Sequence, residues 1–216
     1  MRDAFHEGLD TITDDLVEMT RLASSAMTRA TTALLDADLA LTESVIEADV
    51  RLDALEKKIN LDGVDMLARQ QPVATDLRIV VTALRMAASI ERMGDLAVHV
   101  AKVARLRHPE CAVPAEARPT IIEMGQIANR LIAQVGSIIA SKDLERIADL
   151  DLTDDRLDEL HREVFALITS DDFVHNRQVG VDLALLSRYY ERFGDHAVSV
   201  GEQVAFLITG ELTQRA

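Results

Sequence analysis

The 216-residue sequence is poor in the residues that build compact β-rich or disulfide-stabilised domains. It has no tryptophan, its aromatic content is 3%, and glycine and proline together number 9 + 4 = 13. Because sandwiches and barrels need frequent turns and draw on aromatic residues, this scarcity disfavours them. The single cysteine, Cys111, excludes an internal disulfide framework. Hydrophobic residues still make up 48% of the chain, so we expect a real core built from long helices.

Basic residues are also scarce, with 23 Lys+Arg against 37 Asp+Glu and a net charge of −14. A chain with this balance and no basic cluster neutralises phosphates poorly, so we expect no nucleic-acid binding. The longest uncharged stretch runs only from Leu131 to Ser141, well short of the roughly 20 residues of a membrane span. The first ten residues contain no apolar segment typical of a secretory signal. We therefore expect a cytoplasmic protein with no direct membrane insertion.

Apolar residues recur at alternating steps of three and four over long stretches, which is the pattern of amphipathic helices packed side by side. Pro72 interrupts this pattern once, and three prolines crowd into RHPECAVPAEARP at residues 107–119. The sequence therefore predicts six helices, three on each side of this linker. The predicted domains are a first three-helix bundle at 1–106, a proline-rich linker at 107–119 and a second three-helix bundle at 120–216.

The two halves are related in sequence. ERMGDLAVHV at 91–100 matches ERFGDHAVSV at 191–200 in seven of ten positions, with an offset of 191 − 91 = 100. DVRLDAL at 49–55 matches DDRLDEL at 154–160 with an offset of 154 − 49 = 105. Motifs repeated in the same order indicate an internal duplication. The expected fold is all-α, with two tandem, sequence-related three-helix bundles.

Each half contains two acidic residues four positions apart on the predicted helix: Glu91 with Asp95, and Glu191 with Asp195. This spacing places both carboxylates on one helix face, about 6 Å apart at Cβ. The first pair continues an apolar seam, where ionised carboxylates are costly unless a cation compensates them. A glycine lies inside each pair, which suggests that a neighbouring helix approaches closely there.

Further acids flank the seams of the second and fifth predicted helices. They are Asp49, Asp53 and Glu56 in the first half and Asp154 and Asp158 in the second. Facing helices that each present carboxylates can form an oxygen-rich site inside a bundle, suited to Mg, Mn, Fe or Zn. The alternative is a network of these acids with arginines that recur nearby. Those arginines are Arg51, Arg92, Arg156 and Arg192.

Other chemical signatures are weak or missing. The Glu-x-x-His pattern of di-iron bundles does not occur, so we interpret His99, His161 and His196 as surface or packing residues. The sequence contains no glycine-rich phosphate loop, no Gly-x-Ser-x-Gly and no His-Glu-x-x-His. An enzymatic function would therefore depend on the acid pairs alone.

The motifs ERMGD and ERFGD resemble the repeated E(D)xxxD metal motif of the PhoU family, which has one copy per three-helix bundle. QPVATDLR at 71–78 resembles the segment that opens the family's third helix, and the resemblance extends over essentially the full chain. It implies divalent or trivalent metal ions as cofactors. The ligands that it implies are Glu91, Asp95, Glu191 and Asp195, with contributions from Asp49, Asp53, Asp154 and Asp158. In the second half VHNRQ at 174–178 replaces the proline-containing opening and His161 stands in the place of Glu56, so we expect the second site to differ in affinity or nuclearity.

The resemblance also implies a non-enzymatic role as a metal-binding regulatory adaptor of phosphate homeostasis. Such a protein restrains phosphate uptake and the phosphate-starvation response. It forms a homodimer and links the ATP-binding subunit of the phosphate ABC transporter to a phosphate-responsive sensor histidine kinase. Two alternatives remain open on the residues themselves. One is a metal-dependent phosphohydrolase on an all-helical frame, in which carboxylate-held metals activate water. The other is a structural helical protein whose acids pair only with arginines.

Overall fold

A computed structural model describes residues 2–211, with side chains from Phe5 onward, and this part of the chain is built from helices without any β-strand. The helices are α1 Arg2–Asp36, α2 Leu39–Ala48, α3 Val50–Gln70, α4 Ala74–Arg107, α5 Arg118–Ser141, α6 Glu145–Ile168 and α7 Arg177–Thr209. Within the same residues, no helix combines the length and the apolar content needed to cross a membrane.

The prediction of six helices is confirmed, because α2 and α3 are one predicted helix broken at a single residue, Asp49. Pro72 lies in the short connection before α4, as expected. The predicted linker lies between α4 and α5, although Pro119 belongs to the first turn of α5, where proline is tolerated. The domain limits at 106 and 120 stay a prediction, and the outer limits at 1 and 216 lie outside the described residues.

The first bundle consists of α1, α2–α3 and α4, and the second of α5, α6 and α7. The bundles pack against each other through α1 on α5 and α4 on α7. One hydrophobic core therefore runs through both halves and includes Met27, Ile90, Ile132 and Tyr190. Since α4 contacts its own bundle on one side and α7 on the other, it needs apolar residues on both faces.

Residues that the sequence duplication makes equivalent lie opposite one another where α1 crosses α5. Ser24 donates a hydrogen bond from its hydroxyl to Asn129 Oδ1, and the two residues are 105 positions apart, which is the repeat offset. The neighbouring contacts on either side are Thr20 with Gly136 and Thr31 with Gly125. Each threonine thus meets the glycine that is equivalent to the other threonine. An approximate two-fold axis therefore relates the two bundles and passes close to the Ser24–Asn129 hydrogen bond.

A buried ion pair joins the C-terminal end of α4 to the N-terminal part of α7. Arg107 donates from Nε to Asp182 Oδ2 at 2.6 Å and from Nη2 to Asp182 Oδ1 at 3.0 Å. Asp182 is only 4% exposed, so its charge depends on this two-point contact for compensation. The pair clamps the two bundles together at this end of the molecule.

We predict that Arg107→Met lowers the free energy of unfolding by about 3 kcal/mol, because it leaves the Asp182 carboxylate buried without its cation. Urea unfolding followed by the helical circular dichroism signal measures this change. Arg105→Met is the control, since Arg105 is half-exposed and reaches Glu43 only at 3.5 Å; we expect a change below about 0.5 kcal/mol. Equal effects of the two substitutions would contradict the clamp.

Candidate functional site

The first acid cluster forms where the start of α3 crosses α4 at Gly94. A Cβ atom added to Gly94 would collide with Leu52 Cδ2 and would lie 3.4 Å from Asp49 Oδ1. With Leu52 in its present position, glycine therefore allows an approach that a larger residue would block. The crossing places the carboxyl group of Asp49 beside the acid pair of α4, and the close approach expected from the glycine is confirmed.

The second acid cluster forms at the equivalent crossing of α6 and α7. A Cβ atom on Gly194 would collide with Asp154 Oδ1 and would lie 2.9 Å from Leu157 Cδ2. Asp154 is itself only 3% exposed. The duplicated glycine thus performs the same task in both halves: it brings an aspartate from the neighbouring helix against the helix that carries the acid pair.

Burial and mutual repulsion disturb the carboxyl groups of the first cluster. The pKa of Asp49 is raised to about 6, chiefly because burial penalises its charge and then because Asp53 and Asp95 are near. Burial also raises the pKa of Glu91, with a further contribution from Asp95 and an opposing one from Arg92. Asp53 is exposed, whereas Asp49, Glu91 and Asp95 are half-buried. The structure therefore gathers all four predicted residues of the first half within electrostatic reach of one another.

The second cluster is disturbed more strongly. The pKa of Glu191 is raised to about 7, first by burial and then by Asp195, with smaller contributions from Asp158 and Asp154 and an opposing one from Arg188. The Glu191 side chain is only 12% exposed, and its Oε2 atom is buried without a hydrogen-bond partner among the described residues. A buried carboxylate oxygen without a donor is costly. The four predicted residues of the second half also come together.

Arginines compensate part of this charge, in different ways in the two halves. Arg92 donates to Asp95 Oδ2 at 2.8 Å and lies 3.7 Å from Glu91 Oε2. In the second half Arg188 pairs with Glu191 Oε1. Both arginine side chains are more than half exposed, and such pairs contribute little stability. Sequence reasoning missed Arg188, although its position three residues before Glu191 on the same helix is a signal for this contact.

Two of the three histidines near the clusters, His99 and His161, make packing or hydrogen-bond contacts, in line with the interpretation from the sequence. The Nδ1 atom of His99 lies 2.8 Å from the backbone oxygen of Asp95, and its ring packs on Tyr189 with centroids 5.2 Å apart. The Nδ1 atom of His161 lies 3.0 Å from Ser187 Oγ, and burial followed by Arg188 lowers its pKa. His161 therefore does not supply the negative charge that Glu56 places near the acid pair in the first half.

A family model described as the PhoU domain matches the chain twice, at residues 16–104 and 121–204. The chain belongs to the PhoU family. Each matched segment contains one acid pair, at Glu91–Asp95 and at Glu191–Asp195. A relative from Mycobacterium bovis, named phosphate-specific transport system accessory protein PhoU homolog 2, is 45% identical over 210 residues, which cover 97% of this chain and 99% of that protein.

Two crystal structures share the PhoU fold. PhoU from Pseudomonas aeruginosa superposes with a TM-score of 0.83 at 25% identity, covering 96% of this chain and 100% of the other. The phosphate transport system regulatory protein PhoU from Streptococcus pneumoniae superposes with a TM-score of 0.85 at 21% identity, covering 98% and 100%. Agreement over nearly the whole chain confirms the arrangement of two related bundles.

The donor set of both PhoU-type clusters suits a hard metal ion, although the side chains do not form a finished ligand cage. As they stand among the described residues, no three His, Cys, Asp or Glu side chains converge into a group that could hold a metal. The fit comes from chemistry: each cluster gathers carboxylates from two helices. Burial and repulsion raise the pKa of Asp49 and Glu91 in the first cluster and of Glu191 in the second, and a carboxylate oxygen of Glu191 is buried without a hydrogen-bond partner among the described residues. Carboxylate oxygens are the ligands preferred by Mg²⁺ and Mn²⁺.

The raised pKa of Glu191 predicts a pH-dependent stability in chelator-treated protein. The folded-state value of about 7 exceeds the ordinary 4.5, so the folded state holds a proton that the unfolded state loses between pH 4.5 and 7. Stability therefore falls as pH rises through this window, and Asp49 acts in the same direction. After allowance for partial solvation, we expect Glu191→Gln to stabilise the protein by about 2 kcal/mol at pH 8 and by little at pH 4.

Urea unfolding at several pH values measures this difference. Glu47→Gln is the control because Glu47 is an exposed glutamate on α2 and is not among the groups that raise the pKa of Asp49, Glu91 or Glu191. We expect Glu47→Gln to keep the pH slope of the parent protein. If Glu191→Gln also keeps that slope, ionisation of the Glu191 carboxyl group does not lower the stability of the folded state, and the prediction is wrong.

Proposed function

We propose that this chain is an accessory regulator of a phosphate-specific transport system and works in the cytoplasm as a non-enzymatic, metal-binding adaptor. The observation that carries the proposal is the pair of equivalent carboxylate clusters, one at each glycine-mediated helix crossing. The role as a transport accessory protein is supported by the names of the relatives. In this role the protein restrains phosphate uptake and the phosphate-starvation response.

The residues that would hold metal are the clustered acids of each half. They are Asp49, Asp53, Glu91 and Asp95 in the first site and Asp154, Asp158, Glu191 and Asp195 in the second. A bound divalent or trivalent ion, from among Mg, Mn, Fe and Zn, would supply the positive charge that these partly desolvated carboxylates lack. The guanidinium groups of Arg92 and Arg188 are more than half exposed, so they would not block a cation from the carboxylates.

This arrangement stabilises a rigid helical surface rather than a reaction centre. The acid clusters lie where α3 contacts α4 and where α6 contacts α7, so a cation that compensates their repulsion would fix the outer helices on the central ones. Exposed apolar side chains then remain available for docking, including Leu61 and Val64 on α3 and Val181 and Leu185 on α7. The partners proposed for these helical faces are a second copy of the chain, the ATP-binding subunit of the phosphate ABC transporter and a phosphate-responsive sensor histidine kinase.

Metal content after purification without chelator tests the metal-binding part of the proposal. We expect Glu91→Gln/Asp95→Asn and Glu191→Gln/Asp195→Asn each to lose the metal of one half, measured by elemental analysis per mole of chain. Glu159→Gln/Glu163→Gln is the control, because these acids have the same spacing but pair with Arg156 on the surface. Parent protein that contains no metal and gains no stability from added Mn²⁺ would contradict metal binding.

Deletion of the gene tests the regulatory part. We expect the phosphate-starvation response to stay on in phosphate-rich medium, and the parent gene to restore repression. A gene with both acid pairs neutralised should restore it poorly, because the helical faces are no longer held in place. An unchanged response after deletion would contradict the adaptor role. Metal-stimulated turnover of phosphate esters that disappears in Asp95→Asn would instead favour a phosphohydrolase.

A further inference from the structure

A small cavity lies between α1 and the junction of α2 and α3, and two arginines line it. Its volume is about 70 Å³, and Leu22, Val45 and Leu52 form its apolar wall. Its polar wall consists of Ser25, Arg29, Asp49 and Arg51. We call this space the arginine cavity. Two arginines, the half-buried Arg29 and the exposed Arg51, and one aspartate thus line it, in a protein whose net charge is −14.

The second half shows what the equivalent of Arg51 does when it has acidic neighbours. At the repeat offset of 105, this equivalent is Arg156. Arg156 donates to Glu123 at 2.9 Å and to Glu159 and Glu163 at 3.0 Å each. Three carboxylates therefore engage its guanidinium group, and it has no need of a further anion.

In the first half two of these three acids are absent and the third pairs elsewhere. Ala54 and Lys58 stand at the positions equivalent to Glu159 and Glu163. Glu18, equivalent to Glu123, interacts with Arg21 at 3.5 Å. Among the residues that the structure describes, Arg51 forms no ion pair, and its side chain lines the arginine cavity instead.

Arg29 is also specific to the first half, since Gln134 occupies the equivalent position on α5. The side chain of Arg29 is half-buried and donates a hydrogen bond to Ser44 Oγ. It has no carboxylate partner in the described part of the chain. The duplication has thus diverged so that one half contains two cationic side chains at a cavity and the other half neutralises or lacks them.

This combination recognises a small oxyanion. Guanidinium groups present planar pairs of donors that match two oxygens of a phosphate, and Ser25 offers a further hydroxyl donor. A cavity of about 70 Å³ has room for one tetrahedral ion, whereas pockets for drug-sized ligands start at about 300 Å³. We propose that the arginine cavity binds one small tetrahedral oxyanion of the inorganic phosphate class, held by Arg29, Arg51 and Ser25. The proposal does not depend on metal binding.

Isothermal titration of the full chain with inorganic phosphate, in the presence of a chelator, tests the proposal. We expect one saturable site per chain. Arg29→Gln, which copies the residue of the second half, and Arg51→Gln should each weaken binding about tenfold or more, because each removes charge-assisted hydrogen bonds. The matched control is Arg156→Gln, the equivalent of Arg51→Gln in the second half, which should leave the affinity unchanged.

A steric variant tests whether the space itself is needed for binding, with the charges and the fold unchanged. Ala26 also lines the arginine cavity, so Ala26→Leu keeps both arginines but fills part of the space, and we expect it to abolish phosphate binding with the helical circular dichroism signal retained. Sulfate should compete with phosphate, and adenosine monophosphate should not, because its nucleoside does not fit.

Three results would overturn the proposal. They are the absence of saturable phosphate binding, equal weakening by Arg156→Gln and Arg51→Gln, and binding of adenosine monophosphate as tight as that of phosphate. None of them bears on the metal content of the acid clusters, so failure here is distinguishable from failure of the proposed function.

Discussion

The close approach of two pairs of helices at Gly94 and Gly194, which holds carboxylates partly out of water, is the constraint on which both candidate sites depend. Gly94 and Gly194 allow the outer helices to approach so closely that Asp49 and Asp154 lie against the acid pairs. The resulting rise in the pKa of Asp49 and Glu191 reflects a cost that the exposed arginines compensate only in part and that the rest of the packing must offset unless a further cation is present. Both halves keep this cost, and the proposed binding of a metal ion would remove it.

The duplication makes the differences between the halves informative. Ala88 stands where Arg188 pairs with Glu191, so the two acid clusters have different competing cations. Arg51 lacks the acids that surround its equivalent Arg156 and faces a cavity instead. The approximate two-fold axis at the α1–α5 crossing therefore relates two bundles with the same fold but with different charged side chains at equivalent positions.

Much of the fold follows from the sequence because apolar spacing reports which helix face is buried. It predicted the six helices, and the repeated motifs predicted two related bundles. The spacing does not report which helix covers a face, so the packing of α1 on α5 through Ser24 and Asn129 was not foreseen. The break at Asp49 was missed because its backbone stays close to helical, with φ −59° and ψ −35°, and the apolar seam continues through it.

Anomalous diffraction from crystals grown with Mn²⁺ tests the central claim most directly. The account predicts one anomalous peak or more at each helix crossing, at about 2.0–2.3 Å from carboxylate oxygens of Glu91 and Asp95 and of Glu191 and Asp195. Crystals in which these carboxylates face only Arg92 and Arg188, with no anomalous peak near them, would contradict it.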